Sequence, residues 1–345
     1  MRKNIFSGMI LTAGAAWLLA LTACSEREFY NDEQYRKECY LVSDDYNIFG
    51  QEYAFGENSV GYISVYMSGS TPVDHDVTVT LRPAAELLRE YNQRTYGTSY
   101  ADYAEILPEN AYTTPEGWTV TISPDNPYTK FPVVVGIDRL NPTKTYFLPV
   151  EIASVSDYQY SAQKSYVLFR IFMKNDYATT QSVTYYQMYG TTINMTSDGT
   201  TWATAVDGDE PQVFNATKLM TPISEKAVRI LPGATQSSSD DVISQQGLRL
   251  TVTDDIWQQP ILGDDGLPTG KTIPVNVVTV EPMNEGSSCV LTTAAHDLAT
   301  GTELVSFFNP ADGTFTLNYC YRLPTETANG QPLWHMVHEQ MVRLN

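Results

Sequence analysis

The sequence predicts an all-β chain: a sandwich domain of Greek-key size with one helical insertion, followed by a second antiparallel β-domain, sandwich or barrel. Three observations predict it. Apolar and polar residues alternate with period two through most of the chain, helical periodicity is convincing in one stretch, and a short polar segment interrupts the pattern near the middle.

In "DVTVTL" the side chains of Val77, Val79 and Leu81 share one face, and "WTVTI" does the same with Trp118, Val120 and Ile122. "YFLPVEI" offers Tyr146, Leu148, Val150 and Ile152, and "SYVLFRIFM" offers Val167, Phe169 and Ile171. These are sandwich strands. Between them "PAAELLREYNQRTYG" places Pro83 in a first helical turn and Ala84, Leu87, Leu88 and Tyr91 on one face, ending before Gly97. Pro132 and Pro149 fall within strands and cannot donate to a ladder, which marks an edge or a bulge. "KNDYATTQ" after Met173 has no period, so the boundary is placed near Thr179, giving domains of residues 37–175 and 180–345. Alternation resumes in "GLRLTV", "IPVNVVTV" and "TFTLNYCYRL", whose Phe315, Leu317, Tyr319 and Tyr321 face inward, and "PLWHMVHEQMVRL" closes the chain as a strand. "GATQSSSDDVISQQG" and "GDDGLPTGK" read as polar loops.

The first residues concern location. Arg2 and Lys3 precede an apolar run from Ile5 to Ala20, the layout of an export signal, although the run is also about as long as a membrane span. Cys24 decides between the two. Leu21-Thr22-Ala23-Cys24 resembles a bacterial lipobox, which implies removal of residues 1–23 as a signal peptide and attachment of diacylglycerol to the Cys24 thiol, with residues 24–36 as a tether. Each buried acyl methylene contributes roughly 0.8 kcal/mol, so more than one chain anchors stably. Ser25-Glu26-Arg27-Glu28 resembles the signal that sends Bacteroidetes lipoproteins to the outside of the outer membrane.

Removing Arg2 and Lys3 leaves 19 basic residues against 40 acidic, a formal charge of −21, which argues against nucleic acid and phosphate-rich surfaces as partners. Cys39, Cys289 and Cys320 are too few for a disulfide-built fold. Cys289 and Cys320 both lie in strand-like runs and could pair, with free thiols the expected state.

The order of a lipobox, "YNQRTYGTSYADYAEILPENAY", "WTVTI", "FPVVVGIDRLNPTKTYFLPVEI" and "SYVLFRIF" resembles the immunoglobulin-like N-terminal domain of many Bacteroidetes surface lipoproteins. "YYQMYG", "TTWATAVDGD" and the terminal "TFTLNYCYR" and "LWHMVHEQMVRL" resemble their companion C-terminal β-domain. The resemblance covers nearly the whole mature chain. It implies a polysaccharide utilisation locus, with a TonB-dependent transporter and its lid-like lipoprotein as partners and glycan as ligand, but supplies no catalytic motif and no fixed sugar-binding residues.

Glycan binding needs aromatic faces that stack on a sugar ring, flanked by carboxylates and amides that bond its hydroxyls. "TDDIWQQPILGDDG" surrounds Trp257 with Asp254, Asp255, Gln258 and Gln259 in an expected loop, the residue types of such a platform; a tryptophan plugging a barrel end is the competing reading. Trp202 is a weaker candidate because Val206 follows on the same alternation, and Trp118 and Trp334 read as core. Tyr185, Tyr186 and Tyr189 follow the linker, where an interdomain cleft could use them and packing between the domains is the expected use.

His335 and His338 lie three apart, on opposite faces of a strand, which argues against a shared metal. "DGDE" (Asp207, Asp209, Glu210) and "GDDG" (Asp264, Asp265) are oxygen-rich without the spacing of a calcium loop, so they read as solvated turns. "GLPTGKT" is one residue short of a phosphate-binding loop and reads as a turn. No G-x-S-x-G elbow is present, and His296 has no triad partners in sequence. The expectation is a non-catalytic, lipid-anchored surface protein without cofactor that binds or presents polysaccharide. An adhesion or envelope-structural protein is the alternative, and a glycoside hydrolase with facing carboxylates a further one.

Overall fold

The computed structural model describes residues 33–56, 59–197, 202–206, 210–237, 239–283 and 290–344. The expected signal peptide, Cys24, Asp207, Asp209 and Cys289 lie outside the described residues. Packing divides the chain into two units. Ser59–Val135, Thr145–Ile171 and the described residues up to Gln51 form the first, and the residues from Phe172 onward with 52–56 and Gly136–Lys144 form the second. Among the described residues no helix is long and apolar enough to cross a membrane.

With strands numbered in chain order, the N-terminal period-two segments form two sheets. One runs β10 (Gln159–Tyr160), β1 (Glu38–Leu41), β3 (Ser59–Met67), β8 (Tyr128–Val135), β6 (Tyr112–Thr113). The other runs β2 (Ile48–Ala54), β11 (Tyr166–Lys174), β9 (Tyr146–Val155), β4 (Val77–Pro83), β7 (Thr119–Ile122), with β5 (Glu105–Ile106) parallel to β9. Leu41, Ile63, Val65, Phe131 and Val133 of the first sheet and Val79, Leu81, Ile122, Val150 and Phe169 of the second are buried, so each sheet turns its apolar face inward, as in a sandwich. Each fully buried side chain of this size contributes roughly 1.5–3 kcal/mol. Trp118 packs on Phe131, ring centroids 5.2 Å apart.

Helix α1 (Ala85–Tyr96) covers the outer face of the second sheet, where Leu88, Phe147 and Leu168 are buried with Leu87 and Tyr91 packed against them. This second covering explains why β9 is buried on both faces from Tyr146 to Val150. Pro83 ends β4 instead of occupying the first helical turn, and Gly97, at φ +57°, stops the helix. Pro132 sits where β8 is bonded only to β3, since β6 reaches only Val134 and Val135. Pro149 departs from expectation: β9 is a central strand, and this residue falls in the gap between β4, whose pairing stops at Val150, and β5, whose pairing stops at Phe147.

The C-terminal domain is a barrel. β12 (Thr184–Ser197), β14 (Gln212–Ser224), β15 (Ala227–Ile230), β16 (Leu248–Leu262), β17 (Pro268–Pro282), β19 (Phe307–Asn309), β20 (Thr314–Arg322) and β22 (Gln331–Arg343) pair in that order, and β22 pairs back onto β12. Closure of eight antiparallel strands leaves no open edge, and side chains fill the interior. Tyr186, Leu250, Val252, Phe315, Leu317, Val337 and Met341 form that core. β13 (Trp202–Thr204), β18 (Leu291–Ala294) and β21 (Thr327–Ala328) are appended to β12, β20 and β22.

Two predicted loops of this domain are structured. Within "GATQSSSDDVISQQG" residues Asp240–Gln246 form helix α2. "TDDIWQQPIL" is strand, not loop: β16 and β17, fifteen residues each, continue past an irregularity between Val252 and Ile256 as a two-stranded arm, with its turn at 263–267. Cys39 and Cys320 are free, and burial pushes both thiols up to about 12, so neither is reactive at neutral pH.

Candidate functional site

Cross-strand partners share a face, so register alone places a file of side chains on the outer wall of the barrel. Trp257 stands opposite Val275, Val277 opposite Phe307, Phe307 opposite Thr316, Thr316 opposite Gln340, and Gln340 opposite Tyr189. The next file sets Asn318 opposite His338 and His338 opposite Thr191. With Gln259, Pro260 and Leu262 of the arm, these residues bound a groove of about 620 Å³.

Its aromatic part is Trp257, half-buried against Phe307 with ring centroids 5.4 Å apart, and Tyr189, which is 53% exposed. Its polar part is hydroxyl and amide: Thr316, Gln340, Gln259 and Asn318. The Asn318 amide donates to the Val305 carbonyl at 2.7 Å, and its oxygen lies 3.0 Å from His338 Nδ1. Burial holds His338 below its ordinary value, with the Asp297 carboxylate pulling the other way. Asp297 is itself kept ionised by hydrogen bonds from Thr300 and Ala299. Glu339 reaches the groove but pairs with Lys218 inside the barrel, at 2.7 and 2.8 Å.

A smaller cavity of about 300 Å³, lined by Leu219, Ile230, Leu231 and Ile243, has Tyr185 as the one ring among its lining residues. The N-terminal domain carries a second aromatic array, Tyr40, Tyr66 and Tyr128 in one file across β1, β3 and β8. The rings on the barrel are the ones that meet a concave wall of amides, which makes the groove the candidate site.

The residues predicted from sequence separate here. Trp257 and Gln259 line the groove. Gln258 alternates to the opposite face of the arm and accepts a hydrogen bond from Thr272. Asp254 is engaged with Lys226 at 2.6 Å, and Asp255 is exposed at the irregularity; neither lines the groove. Trp202 packs edge-on against Trp334, centroids 5.5 Å apart, and stacks on His296, in a satellite core with Met195, Cys320 and Met336. Tyr186 is interior, its hydroxyl bonded to the Tyr177 carbonyl. His335 stacks on Tyr321 and bonds Glu326, on the other side of β22 from His338. Asp265 caps the arm turn through the Leu267 N–H, and Glu210 is exposed.

Two family models account for most of the chain. The model of a family described as an N-terminal domain matches residues 35–159, and its companion, described as C-terminal, matches residues 165–342. The chain belongs to this two-domain family. No curated protein matches it by sequence. Solved structures similar in fold include a Bacteroides ovatus protein of unknown function, at TM-score 0.56, 13% identity and coverage of 90% of this chain and 94% of that one. A multidomain Bacteroides ovatus protein including DUF1735 is similar at TM-score 0.54 and 11% identity, with 90% and 94% covered. An auxiliary nutrient binding protein from Bacteroides thetaiotaomicron is similar at TM-score 0.50 and 13% identity, with 86% and 91% covered. The structural similarity over most of each chain establishes a shared two-domain β fold, and at these identities it establishes the fold alone, so the site has to be read from this chain's own residues.

Phe307, Asn318 and Gln340 are not singled out from sequence, and Tyr189 is named there only as a packing residue after the linker. The signal that could have found them is the polar alternate set of the barrel strands: Thr316 and Asn318 alternate with the inward Phe315, Leu317 and Tyr319.

Proposed function

We propose that this protein is a non-catalytic glycan-binding lipoprotein of the outer cell surface, which holds saccharide in the barrel groove and presents it to a TonB-dependent import complex. One observation carries the reading: Trp257 and Tyr189 stand at a largely apolar groove whose uncharged polar groups include the Gln259, Asn318 and Gln340 amides and the Thr316 hydroxyl, the combination that stacks on a sugar ring while bonding its hydroxyls. The lipobox-like Leu21-Thr22-Ala23-Cys24 supports the address, and the structurally similar Bacteroides thetaiotaomicron protein is described as nutrient binding. Binding is favoured over hydrolysis because Glu339, the one carboxylate among the lining residues, is committed to Lys218.

Calorimetry of the protein against plant and host polysaccharides tests it. A binder should emerge whose affinity falls about tenfold or more in Trp257→Ala, on the order of the 1.4 kcal/mol that a tenfold change represents. A binder unaffected by Trp257→Ala and Tyr189→Ala would place the site elsewhere, and release of oligosaccharide would refute the non-catalytic role.

A further inference from the structure

Resting on the glycan-binding reading above, we infer that the groove selects uncharged saccharide and that His338 accepts a hydrogen bond from one of its hydroxyls. Two observations lead there. The first is charge: no lysine or arginine is among the lining residues, and the charge that acts on the His338 ring is the carboxylate of Asp297. Asp264 and Asp265 stand exposed at the arm turn with Lys271 exposed beside them on β17, a net negative tip, and the whole chain carries a formal −19. A sulfate or uronate brought into this groove would find no counter-cation and would enter a negative field.

The second is the direction of the hydrogen bonds. The Val305 carbonyl can only accept, so it fixes the Asn318 amide with its nitrogen toward Val305 and its oxygen toward His338. That oxygen can only accept as well, so Nδ1 of His338 carries the proton. Burial favours the neutral ring, and Nε2 is left as an acceptor. A sugar hydroxyl can donate to this nitrogen. A carboxylate or sulfate cannot, and would place its charge against a lone pair.

The test takes the neutral polymer that binds best from a panel of galactan, mannan, xylan and glucan, and compares it with its own chemically sulfated derivative, using the full chain purified in detergent. Sulfation should lower affinity about tenfold or more at low salt, with partial recovery as salt screens the repulsion. His338→Phe, which keeps the ring and removes the acceptor, should weaken binding of the neutral polymer about tenfold. His338→Gln, whose amide oxygen accepts, should recover part of the loss. Equal or tighter binding of the sulfated polymer, weakening with salt and still lost in Trp257→Ala, would overturn the ligand class while leaving the groove in place. Undiminished binding by His338→Phe would overturn the acceptor role. No binding by any polymer would remove the glycan-binding reading and this inference together. If the histidine variants fail to fold, as judged by circular dichroism, the comparison of sulfated and neutral polymer on the unaltered protein still decides the class.

Discussion

Lys218 and Glu339 are buried inside the barrel, where a charge survives only if it is answered. Their 2.7 and 2.8 Å contacts are joined by Tyr319, whose hydroxyl donates to Glu339 at 3.2 Å and accepts the Gly233 N–H at 2.9 Å. Burial pulls Lys218 down and Glu339 up, each against its partner's charge. Removing one partner should therefore cost far more than removing both. Urea unfolding of Lys218→Met should show a loss of roughly 3–5 kcal/mol, whereas Lys218→Met with Glu339→Leu should be neutral or more stable by up to about 4 kcal/mol. A mild single variant would show that the pair is not the anchor its burial implies. His338 gives the pH dependence. Its folded value lies below the ordinary histidine value of about 6.5, so the ring stays neutral down to that pH and gains a proton only in a window beneath it. Asp297 faces the ring and remains ionised through this window, while Glu339, next in the chain, turns to the other face of β22. Saccharide affinity should be flat from about pH 8 to 6.5 and fall below it, together with stability, because the unfolded chain binds the proton first. Calorimetry across that range on His338→Gln should give a flat profile.

Among the elements, the seam between β12 and β22 closes the barrel, and Gly190 stands opposite Glu339 on it. A Cβ there would lie 2.5 Å from the His338 carbonyl oxygen and 2.8 Å from Phe214. Gly190→Ala should cost roughly 1–3 kcal/mol, seen as a lower melting temperature, because neither backbone can retreat without opening the ladder. The arm behaves differently. Its residues beyond Ile256 are mostly exposed, whereas the interior residues of β16 end at Val252, so replacing 258–274 with an Asn-Gly turn, which keeps Trp257 opposite Val275, should leave cooperative unfolding intact and abolish glycan retention. The same contrast decides what was legible in the sequence. Wherever a strand has one wet and one dry face, as from Phe315 to Tyr321, alternation names both strand and face. In the arm both faces are largely wet, alternation vanishes, and "TDDIWQQP" looks like a loop. The irregularity between Val252 and Ile256, three residues opposite one, also resets which residues face the wall. That is why Trp257 and Gln259 reach the groove while Asp254, Asp255 and Gln258 do not. Trp202 misled for the opposite reason: a tryptophan beside a polar turn is equally suited to sealing a satellite core, and Trp334 and His296 supply the other side of it.

At the scale of the whole molecule, a chain with a formal charge of −19 has no electrostatic reason to stay at an anionic membrane, and the described residues contain no helix that could span one. On the proposed function the tie to the membrane is the lipid that the lipobox-like Leu21-Thr22-Ala23-Cys24 implies at Cys24. One acyl chain holds only marginally and two or more hold stably, since each methylene adds roughly 0.8 kcal/mol. The expected mature N-terminus is a Cys24 carrying diacylglycerol, with residues 1–23 gone, and intact-mass measurement of the membrane-extracted protein reads both features at once. Cys24→Ala should then separate anchoring from recognition: surface protease treatment of whole cells no longer releases the barrel, and cells no longer retain the polysaccharide. The purified variant should still bind with unchanged affinity, because the groove is built wholly from residues of the C-terminal unit. An N-terminal peptide retaining Met1 in the native protein would mean that the apolar run from Ile5 to Ala20 serves as the anchor itself, and the lipid tie would have to be abandoned.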